Sequence, residues 1–134
     1  MKVTSQELVY EAGCRVPGMT VAEAELASSI GAQLVDVREA GEREESGIIP
    51  GSLHVPRGML EFHADLRSPY YMAELDPYSP LTLYCANGAR SALAAATLQR
   101  MGYQQVSYLD GGFAAWVNAG KRVAQPTSRA KQPV

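Results

Sequence analysis

The chain has little cysteine and little histidine, two of each in 134 residues. Cys14 and Cys85 could close one disulfide at most, which excludes the disulfide-dense scaffold of small secreted domains. His54, His63 and Cys14 stand at no metal-ligand spacing, so no metal centre is expected. Glycine patterns for a dinucleotide or a phosphate loop are missing, and Gly111-Gly112 lies in the wrong context for one, so no organic cofactor is expected either. No stretch approaches the roughly 18 apolar residues of a membrane span. The first residues, Met1 to Glu7, lack the apolar core of a signal peptide. Excess charge is missing too. A net charge of -2 argues against nucleic acid and against a membrane surface as partners. These absences leave a reducing cytoplasm as the expected location. With no internal repeat, a single module is expected.

What is present fits a globular α/β domain. Hydrophobic residues make up 46% of the chain, enough for a buried core at this length. Thr20 and Glu23 form a capping box for a helix running to about Ile30, where Gly31 ends it. Leu34 to Val37 is a short β-rich run with Asp36 inside it. A short helix is expected over residues 39–45 and a strand over Leu53 to Val55, closed by Pro56. A further helix is expected over residues 58–66. Residues 68–80, with three prolines and three tyrosines, read as an irregular crossing. Leu81 to Tyr84 reads as the central strand and residues 89–101 as the helix after it. Val106 to Leu109 is the last strand, and residues 113–119 a terminal helix anchored by Trp116. Strands alternating with helices imply a small parallel β-sheet flanked by helices on both faces. Such sheets bind ligands at the carboxyl ends of their strands. The expected organisation is an N-terminal segment over residues 1–18, a domain over 19–120 and a frayed tail over 121–134.

Cys85 carries the chemistry. It ends the central strand and faces a helix N-terminus, where backbone N–H groups and the helix dipole favour an anion. Such a field favours the thiolate, the nucleophilic form of cysteine. The alternative is a buried structural thiol, a common fate of free cysteine. The loop Ala86-Asn87-Gly88-Ala89-Arg90-Ser91 favours chemistry. Gly88 permits backbone geometry closed to other residues, Ala86 and Ala89 leave the interior open, and Arg90 adds a positive charge. Charge along the chain agrees: up to Asp76 there are thirteen acidic and six basic residues, beyond it one acidic and six basic. The half with Cys85 is the positive one. Cys14, between Gly13 and Arg15, has no comparable cradle and reads as incidental.

Four motifs in order resemble the rhodanese family of sulfurtransferases. Cys85 to Ser91 resembles the family's active-site loop. Leu34-Val35-Asp36-Val37-Arg38-Glu39 resembles its DVRE strand end. Gly47-Ile48-Ile49-Pro50-Gly51-Ser52 resembles its GHIPGA turn, with Ile48 replacing the usual histidine. Asp110 to Trp116 resembles its GGxxxW element. The resemblance implies a rhodanese-like fold and a sulfurtransferase that carries a persulfide on Cys85, held by Ala86, Asn87, Gly88, Ala89, Arg90 and Ser91. It implies a small anionic sulfur donor, such as thiosulfate or a persulfide, and a thiol or cyanide as acceptor. Only four residues separate Cys85 from Arg90, one fewer than in phosphatases with a similar cradle. A tighter ring of donors suits one sulfur atom better than a tetrahedral phosphate.

Other readings stay open at this stage. One is a non-catalytic sulfur carrier or protein-binding module; another is a phosphatase or arsenate reductase on the same cradle. Asp36, buried in its strand, needs a partner; Arg38 and Arg90 are the candidates. The resemblance implies that Asp36 and Arg38 support the site structurally. Arg57 either steers an anionic substrate or pairs with Glu61 one helical turn on. Ser91 is expected to cap the following helix and to donate to the sulfur. His54 lies in a strand with nothing to orient it, which argues against a Cys–His protease.

Overall fold

A computed structural model describes residues 1–126. The chain runs α1 (Ser5–Arg15), β1 (Gly18–Met19), α2 (Val21–Ser29), β2 (Gln33–Asp36), α3 (Ala40–Ser46) and β3 (Leu53–His54). A 3-10 turn (Arg57–Met59) leads into α4 (Leu60–Ala64), followed by β4 (Leu81–Tyr84), α5 (Ala89–Arg100), β5 (Val106–Leu109) and α6 (Gly112–Asn118). The five strands form one parallel sheet in the order β1-β5-β4-β2-β3. The fold is the expected small parallel sheet covered by helices.

Alternation along the central strands divides the core. Leu81, Leu83 and then Cys85 face one cluster, with Val35, Val37, Leu60, Ala94 and Leu98. Tyr84 and Leu34 face the other, with Ala24, Ile49, Leu109, Phe113 and Trp116. The two-residue period of a strand dictates this split. It places Cys85 in line with the core residues beneath α5 rather than on an open surface. Cys85 itself has 0% relative exposure.

Local signals account for the helix boundaries. Thr20 caps α2 through the expected box, accepting the Glu23 N–H while Glu23 accepts the Thr20 N–H. Gly47, at φ 88°, stops α3 in the left-handed region that glycine tolerates. The helix expected over 58–66 is shorter than its sequence pattern: a 3-10 turn occupies its first residues and Ala64 ends it. Residues 65–80 cross without a helix, held by turns such as Ser68 N–H to Asp65 O and Leu75 N–H to Met72 O. Trp116 anchors α6 as expected. It is buried, and its Nε1 donates to Arg122 O at 2.8 Å.

Two elements lie where no structure was expected. Helix α1 is capped by Thr4, which accepts the Glu7 N–H at 3.1 Å. It lies along α5, and Gln99 Nε2 donates to Arg15 O at 3.0 Å. Strand β1 adds an edge beside β5. Of the segment expected to fray, residues 121–126 are described and make contacts. Ala124 bridges Ile48 antiparallel, and Lys121 pairs with Glu25 at 2.9 Å. The remainder of that segment lies outside the described residues. No described helix is long and apolar enough to cross a membrane.

Candidate active site

The site forms where β4 ends and α5 begins. Gly88 is the N-cap of α5, with φ 102°. A side chain there would be strained, and its Cβ would lie 3.2 Å from Gly111 N. From this turn two backbone N–H groups reach the sulfur: Gly88 N is 3.1 Å from Cys85 Sγ, and Ser91 N is 3.4 Å away. The Ala89 N–H donates instead to Asn87 Oδ1 at 3.1 Å, and that oxygen lies 4.0 Å from Sγ. The Cys85 sulfur thus sits at the first turn of a 12-residue helix, facing its positive end.

The back of the loop is held by α6. Phe113 N–H donates to Cys85 O at 2.8 Å, and Ala114 N–H donates to Ala86 O at 3.0 Å. These bonds turn two loop carbonyls away from the sulfur. Gly112 makes the approach possible, because a Cβ there would fall 2.5 Å from Cys85 O and 2.8 Å from Ala86 C. The glycine pair is therefore a close-approach device for the loop. Its spacing from Cys85 in sequence gave no sign of that contact.

Asp36 is fully buried and receives two arginines. Arg38 grips it with Nε at 3.0 Å and Nη2 at 2.8 Å, and Arg43 Nη1 reaches it at 2.8 Å. Of the two candidates, Arg38 is the partner; Arg43 joins it and Arg90 does not. Burial pushes the Asp36 carboxyl up, but the Arg38 hydrogen bonds and both positive charges outweigh it and hold it below the usual carboxylate range. Arg38 also donates to Gly47 O at 2.8 Å, and its guanidinium lies 4.4 Å from the Phe113 ring centroid. This network joins the end of β2, the turn after α3 and the start of α6, three segments around the loop. Tyr84 adds a tie: its hydroxyl accepts the Ile49 N–H at 3.2 Å and lies 2.9 Å from Ser52 Oγ. Burial first, then the Asp36 charge, pushes the Tyr84 phenol up to about 12.

Arg90 turns to Glu42. Its Nη1 and Nη2 meet the two carboxylate oxygens at 2.9 and 2.8 Å. Hydrogen bonding by Arg90 is the main cause that draws the Glu42 carboxyl down to about 2. Glu42 was not singled out in the sequence. A partner 48 positions away leaves no local pattern, although its place three residues after Glu39 marks it as the far half of a capping box.

The other expected residues divide. The Ser91 hydroxyl donates to Gly88 O at 3.2 Å and not to the sulfur, while its backbone N–H faces Sγ. Arg57 bonds Glu61 at 3.1 Å and Thr97 at 3.3 Å, away from the loop. His54 places a ring nitrogen 2.8 Å from Arg38 O. Ile48, where the family has histidine, is buried beneath Ala124. Cys14 is exposed and unbridged. Beside the loop, a groove of about 660 Å³ opens between α1 and α5, lined among others by Val9, Tyr10, Ala89, Arg90 and Leu93.

Two backbone N–H groups converge on a buried cysteine at the carboxyl end of a parallel sheet, an arrangement able to receive an anion. Comparison with known proteins makes this specific: the rhodanese-like domain family model matches residues 20–119. The chain belongs to the rhodanese-like domain family. It is 34% identical over 93 residues to a protein named sulfurtransferase from Allochromatium vinosum, covering 69% of this chain and 78% of that one. It is 38% identical over 86 residues to the thiosulfate sulfurtransferase GlpE of Pseudomonas savastanoi pv. phaseolicola, covering 64% and 73%. Among solved structures, a protein of unknown function from Rhodopseudomonas palustris CGA009, described as a possible tyrosine phosphatase, aligns with a TM-score of 0.87. That protein is 38% identical, with 92% of this chain and 96% of that one covered. The two sulfurtransferase relatives support sulfurtransferase activity in general terms.

Proposed function

We propose that the chain is a single-domain sulfurtransferase that carries sulfane sulfur as a persulfide on Cys85. The observation that carries the reading is the pair of N–H groups, from Gly88 and Ser91, converging on Sγ. The Cys85 thiolate attacks the outer sulfur of thiosulfate. The S–S bond of the donor breaks, and its electron pair leaves with sulfite. An alkyl persulfide serves in the same way and releases a thiolate. The persulfide anion on Cys85 then lies among the loop N–H groups, as an oxyanion lies in its hole. In the second half-reaction an acceptor thiolate or cyanide attacks the outer sulfur. It departs as a persulfide or thiocyanate, and the Cys85 thiolate is regenerated. Two half-reactions through a covalent intermediate give ping-pong kinetics.

Residues 19–120 form the transfer module in this reading, and α1 from residues 1–18 adds one wall of the groove beside the loop. Neither half-reaction calls on a metal or an organic cofactor. Two unbridged cysteines suit a reducing cytoplasm.

The description of the Rhodopseudomonas palustris relative favours a second reading, phosphate-ester hydrolysis. Two features argue for sulfur. The loop is one residue shorter than a phosphate cradle. Arg90, which would clamp a phosphate, is already engaged at both terminal nitrogens by Glu42. Incubation with thiosulfate or an alkyl persulfide, followed by intact-mass spectrometry, tests the proposal. A gain of one sulfur on Cys85 is expected, and its absence with every donor would overturn the reading.

A further inference from the structure

Glu42 holds Arg90 with unusual completeness. Each carboxylate oxygen meets one terminal nitrogen, at 2.8 and 2.9 Å. The carboxylate is itself fixed, because Oε2 also accepts the Glu39 N–H at 2.8 Å in the first turn of α3. The two other arginines of the surrounding network are committed as well: Arg38 and Arg43 share Asp36. Arg90 stands in the first turn of α5, one residue before Ser91, whose backbone N–H faces Cys85 Sγ. The guanidinium lies at the mouth, with 38% of its side chain exposed. The end-on fork of Arg90 is filled by one carboxylate, which leaves an oxyanion only Nε–H and the outer Nη hydrogens. Its charge is also cancelled locally.

We infer that Glu42 is a positioning residue that sets the charge selectivity of the cradle, withholding Arg90 from dianions so that monoanionic persulfides are the preferred sulfur donors. The inference rests on the sulfur-transfer reading and deepens it. Thiosulfate brings a sulfonate that must lie at the mouth, where a compensated Arg90 offers it little. An alkyl persulfide brings one charge, on the sulfur that the loop N–H groups receive. The groove beside Ala89 and Arg90, walled by Val9, Tyr10 and Leu93, suits the apolar body of such a donor.

Sulfate tests the mouth without any turnover. Glu42→Gln keeps an amide oxygen for the Glu39 N–H and removes the charge. Wild type, Glu42→Gln, Arg90→Ala and the double variant would be titrated with sodium sulfate at constant ionic strength. The Gly88 and Ser91 amide signals in two-dimensional NMR spectra are the readout, and the same spectra report whether the fold is kept. Glu42→Gln is expected to bind sulfate roughly three- to fivefold tighter than wild type, the scale of one partly exposed ion pair. The gain should vanish in the double variant, which should bind no tighter than Arg90→Ala. A destabilised helix would not produce a gain of affinity that depends on Arg90. Unchanged sulfate affinity in Glu42→Gln would overturn the inference, as would a gain that survives loss of Arg90. A measurement on wild type alone adds a second test: kcat/KM is expected to be higher for an alkyl persulfide than for thiosulfate, and the reverse order would overturn the inference. Failure of both donors to load Cys85 would instead overturn the sulfur-transfer reading, leaving the sulfate titration to judge Glu42.

Discussion

Gly112 lies against the carbonyl of Cys85 so closely that a Cβ at this position would fall 2.5 Å from the oxygen. The contact lets the first N–H groups of α6 hold the back of the loop. Gly112→Ala must push the loop and also place alanine at φ 61°. The expected cost is about 1–3 kcal/mol of stability for the strained backbone alone, together with loss of persulfide formation. Gly41→Ala is the control. Gly41 lies inside α3 with nothing within 4 Å of its would-be Cβ, so alanine should be neutral or stabilise by roughly 0.5–1 kcal/mol. Urea titrations and intact-mass measurements check both variants.

Cys85→Ser should abolish sulfur loading while keeping the fold, because the hydroxyl nearly preserves the volume of a side chain with no exposed surface. Cys14→Ser, at an exposed position on α1, should leave loading largely unchanged. A donor assay on the two variants decides which thiol carries the sulfur. An inactive Cys14→Ser with an active Cys85→Ser would reverse the assignment.

Arg90→Ala should weaken loading from anionic donors, because it leaves the Glu42 carboxylate uncompensated beside the loop and removes the tie to α3. Arg90→Lys should restore part of the activity, since an ammonium keeps the charge but cannot meet both Glu42 oxygens as a planar fork does. Steady-state kinetics with a persulfide donor measure the two steps.

Acid should unfold the protein through its paired carboxylates. Glu42 is held down to about 2 from an ordinary 4.5, and Asp36 lies below its ordinary 3.8. A carboxylate depressed in the folded state contributes stability that is fully present above its unfolded value and is lost as pH falls through the folded one. Urea stability should therefore be flat above pH 4.5 and fall steadily toward about 2. Glu42→Gln should make that fall shallower. So should 0.5 M salt (roughly a 4 Å Debye length), because the Glu42–Arg90 pair is partly exposed and screened. Asp36→Asn should cost more at neutral pH, about 3–5 kcal/mol, since it leaves buried Arg38 without its counter-charge.

The sheet and the cysteine loop at the end of its central strand were legible in the chain because their signals are local. The Leu81–Tyr84 run, the Thr20 capping box and the stop at Gly47 each lie within a few residues of what they cause. Helix α1 carried the same signal at Thr4 and Glu7, and it is legible once that box is noticed. Strand β1, two residues long, carries no period at all. Partnerships were less legible. Asp36 needed a cation, and Arg38 two residues on supplies it; the second cation is Arg43, brought round by α3, rather than Arg90. Glu42 and Arg90 meet only because α3 and α5 flank neighbouring strands. The Gly111-Gly112 pair shows its role only once β5 has delivered α6 behind the loop.

In the proposed function the cradle around Cys85 takes sulfur and not phosphate. The most direct test gives wild-type protein a low-molecular-weight persulfide in one sample and an aryl phosphate in another. Intact mass is read from the first and released phenol from the second. One added sulfur, located on Cys85 by peptide mapping, and no turnover of the ester are expected. Brisk hydrolysis of the aryl phosphate with no sulfur on Cys85 would contradict it.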